Sequence, residues 1–298
     1  MSLFTAVEMA PRDPILGLNE QFAADTNPNK VNLGVGVYFD DNGKLPLLEC
    51  VQSAEKAMMD KPTARGYLPI DGIAAYDAAV KSLVFGADSE PVTSGRVATV
   101  QGIGGTGGLK IGADFLKKVS PHAKVLISDP SWENHRALFA NAGFQVESYT
   151  YYDAEKRGVN FDGMLASLNA ATAGTIVVLH ACCHNPTGAD LQPEHWDQIA
   201  DIALERGFIP FIDIAYQGLG QGLDADAYGL RMMADRLPEL LVASSCSKNF
   251  GLYRERTGSI TLVAESAEQA KIVSAQSMSI ARQIYSMPPA HGALLVSL

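Results

Sequence analysis

The chain is 298 residues long, with 23 basic and 33 acidic residues and a formal charge of −10. Hydrophobic residues make up 47% and charged residues 19%, which excludes a disordered chain, a collagen-like repeat and a disulfide-stapled mini-protein. An acidic chain without a Lys/Arg run lacks the clustered positive charge that nucleic-acid binding needs. No stretch has the roughly 18 uncharged apolar residues of a membrane helix. The start has neither the basic nor the long apolar region of a signal peptide. Cys50, Cys182, Cys183 and Cys246 form no C-x-x-C pair, which predicts reduced thiols and a cytoplasmic setting.

Residues 1–12 read as an extended arm, followed by a helix over 15–24. Asn42-Gly43 marks a turn. From residue 50 the pattern alternates. Helices are expected over 51–60 and 73–85, a strand over 96–101, a helix over 108–119, a strand over 124–128, a helix over 134–142 and a strand over 145–149. A helix over 161–168, a buried strand over 175–180 and a helix over 193–205 opening on Pro193 come next. Strands over 209–214, 240–244 and 258–262 precede a long helix over 269–281, and an apolar helix begins at Ala290. Helix-sized segments between short Val/Ile/Leu runs predict an α/β fold, with a mostly parallel central sheet and helices on both faces. Ligands then sit at the carboxyl ends of the strands.

Gly102-Ile-Gly104-Gly-Thr-Gly107 fits the dinucleotide fingerprint, with Asp129 ending the next strand 22 residues on. The loop is less specific than that, because backbone N–H groups at a helix start suit any phosphate. Ser244-Ser-Cys-Ser-Lys248 follows a buried strand, so Lys248 is poised for Schiff-base chemistry, since burial favours its free amine. Asp213 ends an apolar strand, where a carboxylate needs a cation such as a protonated pyridine nitrogen. Tyr216 lies three residues on. His180, Cys182 and His184 alternate onto one face and superficially suggest zinc, at a spacing that is not the usual one. The turn Asn185-Pro-Thr-Gly aims the Asn185 amide, and Arg256 suits a phosphate clamp. Taken singly, each has an ordinary alternative: Lys248 a surface lysine, Asp213 a helix N-cap, Arg256 a surface ion pair.

Together these residues resemble the class I aminotransferases, the aspartate and aromatic amino-acid group of fold type I pyridoxal-phosphate enzymes. Ser244-Ser-Cys-Ser-Lys-Asn-Phe-Gly, Cys182-Cys-His-Asn-Pro-Thr-Gly, Asp213-Ile-Ala-Tyr-Gln-Gly and Ser286-Met-Pro-Pro-Ala-His-Gly occur in family order and spacing, and the resemblance runs from about Asp13 to the last residue. It implies a large cofactor domain over 46–298 and the N-terminal part of a small domain over 13–45. It implies that Lys248 forms the Schiff base and shuttles the proton. Asp213 is then the partner of the pyridine nitrogen, with His135 behind it. Tyr216 and Asn185 hold the ring oxygen, and Trp132 stacks on the ring and contacts the substrate carboxylate. Gly105, Thr106, Ser245 and Arg256 form the phosphate cradle. Tyr67 reaches the phosphate in the neighbouring subunit of a homodimer, and Arg282 crosses to the partner's site to bind a distal carboxylate. Gly36 lies beside the substrate.

The stretch 96–144 is closer to bacterial aromatic enzymes, which implies dual aromatic and acidic specificity, with 2-oxoglutarate or a related 2-oxo acid as acceptor. Family chains continue for roughly another hundred residues, which complete the small domain and supply the arginine for the α-carboxylate. A catalytically silent cofactor-binding fragment and an aspartate-specific enzyme are therefore alternatives. A nicotinamide oxidoreductase leaves Lys248 and Asp213 unexplained, and another reaction of the same cofactor is a further rival. Met287 and Cys246 depart from the commoner family residues, and neither touches the proposed chemistry.

Overall fold

Runs of branched apolar residues form the strands here because both faces of the sheet are covered. In the computed structural model, which describes residues 2–9, 16–32, 34 and 36–298, the chain divides into two units, Met1–Pro46 and Leu47–Leu298. The first unit carries a helix, α1 (Leu16–Ala24), and a turn in which Gly43 N–H donates to Asp40 O (2.9 Å) and Asp40 N–H to Lys44 O (2.8 Å). The arm is not extended throughout. Leu3–Ala6 is a single 3-10 turn closed by Val7 N–H on Phe4 O, and residues 10–15 lie outside the described ones.

The second unit runs α2 (Glu49–Asp60), α3 (Ala74–Phe85), the single turn α4 (Glu90–Thr93), β1 (Val97–Ile103), α5 (Gly104–Val119), β2 (Lys124–Asp129), α6 (Glu133–Asn141) and β3 (Gln145–Thr150). A two-stranded ribbon follows, β4 (Tyr152–Asp153) with β5 (Gly158–Val159), then α7 (Phe161–Asn169), β6 (Ile176–His180), α8 (Pro193–Arg206) and β7 (Ile209–Ile214). The remainder is α9 (Tyr228–Arg236), β8 (Leu240–Ser245), β9 (Thr257–Val263), α10 (Ala267–Tyr285) and α11 (His291–Ser297). The expected elements are present with ends shifted by a few residues. α4, α9 and the small ribbon were not expected.

The seven-stranded sheet has the order β1-β9-β8-β7-β6-β2-β3, with β9 antiparallel to both neighbours and the other pairs parallel. Strand residues alternate between two cores. Val177, Leu179, Ile212, Ile214 and Val242 face the helices α3, α8, α9 and α11. Val178, Phe211, Leu241, Ala243 and Ile260 face α5, α6 and α10. This period of two places Asp213 and Ser245 on the α5/α6 face, because each shares the parity of a residue in that core. α5 lies close on the sheet. A Cβ at Gly108 would stand 2.3 Å from Ser259 O, a contact only glycine avoids.

This topology overturns the dinucleotide reading. A mononucleotide-binding βαβ unit needs its two strands in one parallel run joined by the helix. Here β1 lies at the sheet edge, paired only with antiparallel β9, and four strands separate it from β2. Asp129, at the end of β2, is exposed.

Candidate active site

The carboxyl ends of β6, β7 and β8 present His180, Asp213 and the segment 245–248 side by side, with His180 opposite Asp213 and Asp213 opposite Ala243 in register. β9 runs the other way, so its start, with Arg256 just before it, lies at the same end.

Asp213 ends β7 and its Oδ2 lies 2.8 Å from His135 Nε2. His135 is in the first turn of α6 and 0% exposed. Its Nδ1 lies 3.0 Å from Ser131 Oγ, which is also 3.4 Å from His180 Nε2. The Trp132 ring stands edge-on to His135 at 5.2 Å. A carboxylate tied in this way keeps one oxygen fixed and has a second that can accept from another donor.

Lys248 Nζ sits 5.1 Å above the centre of the Tyr216 ring. Burial lowers its proton affinity, Asp213 pulls the other way, and Arg256 lowers it further. Burial also raises Tyr216, and Asp213 adds to the rise. Lys248, Asp213, Tyr216 and Arg256 therefore share one electrostatic neighbourhood.

Beside them lies an anion-shaped cradle. Gly104, the first residue of α5, has φ +65°, and its N–H donates to Arg256 O (2.8 Å). A Cβ on Gly104 would meet Arg256 Nη2 at 2.6 Å, and one on Gly105 would meet Ser245 Cβ at 3.1 Å. The guanidinium, the Ser245 hydroxyl and the first N–H groups of a 16-residue helix thus converge, with Thr106 on the first turn. A helix start with a cation beside it suits a dianionic oxyanion. The helix begins at Gly104, four residues before the expected start, so the glycine loop is itself the first turn.

The zinc alternative loses a ligand, because both ring nitrogens of His184 face hydroxyls, Nε2 Ser128 Oγ at 2.9 Å and Nδ1 Thr187 Oγ1 at 2.8 Å. Burial holds His180 well below the usual histidine range, with His135 and His184 adding to the effect, and holds His184 at about 4. Asn185 lies on the turn closed by Gly188 N–H on His184 O (2.7 Å). Asp190 supports that turn from behind, accepting the N–H groups of Cys183 (2.7 Å) and His184 (2.8 Å). Ser128, Ser131 and Asp190 carry no signature in the sequence that would mark them.

Three further predicted residues are placed as follows. Tyr67 is 94% exposed, and Arg282 is exposed, with Nη1 donating to Ser286 Oγ (2.9 Å). Gly36 belongs to the N-terminal unit.

Known proteins place this arrangement in a family. A Pseudomonas aeruginosa protein named aspartate aminotransferase is 57% identical over 297 residues, covering 100% of this chain and 75% of the relative. An aromatic-amino-acid aminotransferase of Escherichia coli is 46% identical over 296 residues, covering 99% and 75%. The crystal structure of an aromatic-amino-acid aminotransferase from Burkholderia pseudomallei, covalently bound to pyridoxal phosphate, superposes with a TM-score of 0.97 at 58% identity, over 100% of this chain and 74% of that one. The profile of "Aminotransferase class I and II" matches residues 28–297. A lysine, a histidine-backed aspartate and an anion cradle on these strand ends, in a sequence matched from end to end by such relatives, mean that the chain belongs to the class I and II aminotransferase family.

Proposed function

We propose that the chain is a pyridoxal-phosphate-dependent aminotransferase, taking the amino group of aromatic amino acids and of aspartate and glutamate to 2-oxoglutarate or a related 2-oxo acid. The observation that carries this reading is Lys248 over Tyr216 in the same neighbourhood as the Asp213–His135 pair. The donor set fits the cofactor: a cationic cradle for its phosphate, a carboxylate for its ring nitrogen, and an amine of lowered proton affinity. Dual specificity is supported by relatives of both names.

When bound, pyridoxal phosphate supplies a carbonyl that condenses with amines and a ring that takes up the electron pair left at the substrate Cα. The chain's own residues do the rest. Arg256, Ser245, Gly105 and Thr106 hold the phosphate. Trp132 would stack on the ring and contact the substrate carboxylate, and Tyr216 and Asn185 would hold the ring oxygen. Asp213 keeps a proton on the ring nitrogen, and His135 keeps Asp213 in place. Lys248 Nζ, whose proton affinity burial lowers, would take the Cα proton and hand it back to the cofactor. Both half-reactions use one site, so the kinetics are ping-pong.

In this reading the enzyme is a cytoplasmic homodimer. Tyr67 reaches the phosphate in the other subunit, and Arg282 binds a distal carboxylate there and swings aside for an aromatic side chain. Residues 13–45, with Gly36 beside the substrate, belong to a small domain, and residues 46–298 form the large one.

The test is the absorbance of the chain with pyridoxal phosphate, before and after tyrosine or aspartate without keto acid. A Schiff-base band that bleaches to the pyridoxamine form supports the proposal, and the two donors rank specificity. A band that forms and never bleaches favours cofactor binding without turnover. No band in a folded protein refutes the reading.

A further inference from the structure

Gln101 is 0% exposed and lies near the end of the edge strand β1. An edge strand presents unpaired backbone groups that need cover. Gln101 N–H donates to Asp71 O (2.8 Å), and its carbonyl accepts from Tyr285 OH (3.0 Å). Its side chain repeats the division, since Oε1 accepts from Ile73 N–H (3.1 Å) and Nε2 donates to Pro289 O (2.8 Å). Each of its polar atoms thus holds one of two segments, residues 67–73 or residues 285–289. The segments also meet directly, with Leu68 N–H on Met287 Sδ (3.1 Å). Gly72, at φ +101°, lies so close that a Cβ would stand 2.4 Å from Gln101 Cβ.

The clasp sits between two outward-pointing side chains. Tyr67 immediately precedes Leu68. Arg282 donates to Ser286 Oγ, immediately before Met287. Both side chains are exposed, Tyr67 next in sequence to Leu68 and Arg282 bonded to the neighbour of Met287.

We propose that Gln101, with Met287, is a positioning clasp that fixes Tyr67 and Arg282 relative to each other, so that they enter the partner subunit's site in register. The inference rests on the reading above, in which Tyr67 serves a phosphate and Arg282 a distal carboxylate. Gln101 touches neither ligand and acts only through these two residues. Met287, which departs from the common family residue, contributes through its sulfur.

Two mutant cycles test this on the purified chain. The first combines Gln101→Glu with Tyr67→Phe and measures the dissociation constant of pyridoxal phosphate by absorbance. The second combines Gln101→Glu with Arg282→Ala and measures succinate binding to the loaded protein from the cofactor band. Gln101→Glu puts an oxygen against Pro289 O and keeps the acceptor for Ile73. Each affinity should fall about fivefold, the scale of one lost buried hydrogen bond. Each loss should vanish to within about twofold when Tyr67 or Arg282 is already replaced. Met287→Leu, which removes only the sulfur acceptor, should shift both constants in the same direction with little change in melting temperature. Losses that persist unchanged in the Tyr67→Phe and Arg282→Ala backgrounds overturn the clasp and leave Gln101 a structural residue. If Tyr67→Phe and Arg282→Ala alone change neither constant, the cross-subunit reading fails and the clasp with it. Should the wild-type chain bind no pyridoxal phosphate, the functional proposal itself falls first.

Discussion

Gly104→Ala adds one methyl group at the start of the anion cradle. It has two effects. Gly104 has φ +65°, where a Cβ crowds its own backbone, at a cost of about 1–2 kcal/mol. The new Cβ would also stand 2.6 Å from Arg256 Nη2 and 3.0 Å from its Cζ, so the guanidinium has to move by roughly an ångström to reach ordinary contact. Arg256 also donates through Nη1 to Tyr253 O (2.8 Å), so moving the guanidinium off Gly104 disturbs both that bond and the cradle. A charge-assisted hydrogen bond contributes about 1.5–3 kcal/mol, so pyridoxal phosphate affinity should fall roughly 10- to 100-fold. The assay is an absorbance titration with the cofactor, alongside the melting temperature of the cofactor-free protein and the same titration of Arg256→Lys. A folded Gly104→Ala protein with unchanged affinity would show that Arg256 does not face the phosphate. A loss matched by Arg256→Lys supports the cradle.

Other predictions rest on separate contacts. Asp213→Asn removes the charge that raises Lys248, so the lysine should titrate lower, whereas Arg256→Leu removes one that lowers it and should move it up. The pH dependence of Lys248 acylation, read by peptide mass spectrometry, measures both, and a midpoint that stays put in both variants refutes the coupling. The unfolded chain binds more protons at Lys248 than the folded one between its lowered pKa and about 10.4, so this residue's contribution to stability rises with pH through that window. His184 stays neutral to about pH 4 in the folded protein, whereas unfolded histidine takes up its proton near pH 6.5. Stability should therefore fall by roughly 3 kcal/mol as pH drops from 6.5 to 4, and His184→Gln should lose that part of the slope in urea unfolding. Equal slopes in the two proteins contradict the assignment. Gly108→Ala drives a methyl to 2.3 Å from Ser259 O, so α5 has to lift from β9. Overpacking of this kind costs about 1–3 kcal/mol, which in calorimetry should lower the melting temperature by roughly 2–12 °C. An unchanged transition would mean the helix already has room.

The central strands β6, β7 and β8 are legible in the sequence because each is a short buried run of apolar residues bounded by polar turns, and β7 matches its expected limits of 209–214. Helix limits are less so. α5 begins on Gly104-Gly105, residues of poor helix propensity, because close packing against Ser245 and β9 excludes side chains there and tertiary contact outweighs propensity. α4 passes unnoticed because it is a single turn, and α9 because Gly229 stands in its first turn, where a glycine reads as a loop residue. Strand order is not a local property at all. The sequence from Gly102 to Asp129 satisfies the dinucleotide fingerprint, and only the long-range pairing of β1 with β9 rules it out.

The same distinction separates the site residues that can be read from those that cannot. A lysine, an aspartate and an arginine at strand ends are chemically expensive to bury, so their positions already imply partners: Asp213 and Arg256 both lie within electrostatic reach of Lys248. A glutamine in a strand carries no such implication. Gln101 becomes informative only when its bonds are seen to divide between residues 71–73 and 285–289, segments about 200 residues apart in the chain that no motif joins. Ser131 is the parallel case behind Asp213, a hydroxyl between two histidine rings that arrive on α6 and β6. Charged groups announce a site because desolvation penalises them wherever they are misplaced. The neutral groups that hold the site in place incur a smaller penalty, and their importance appears only with the fold.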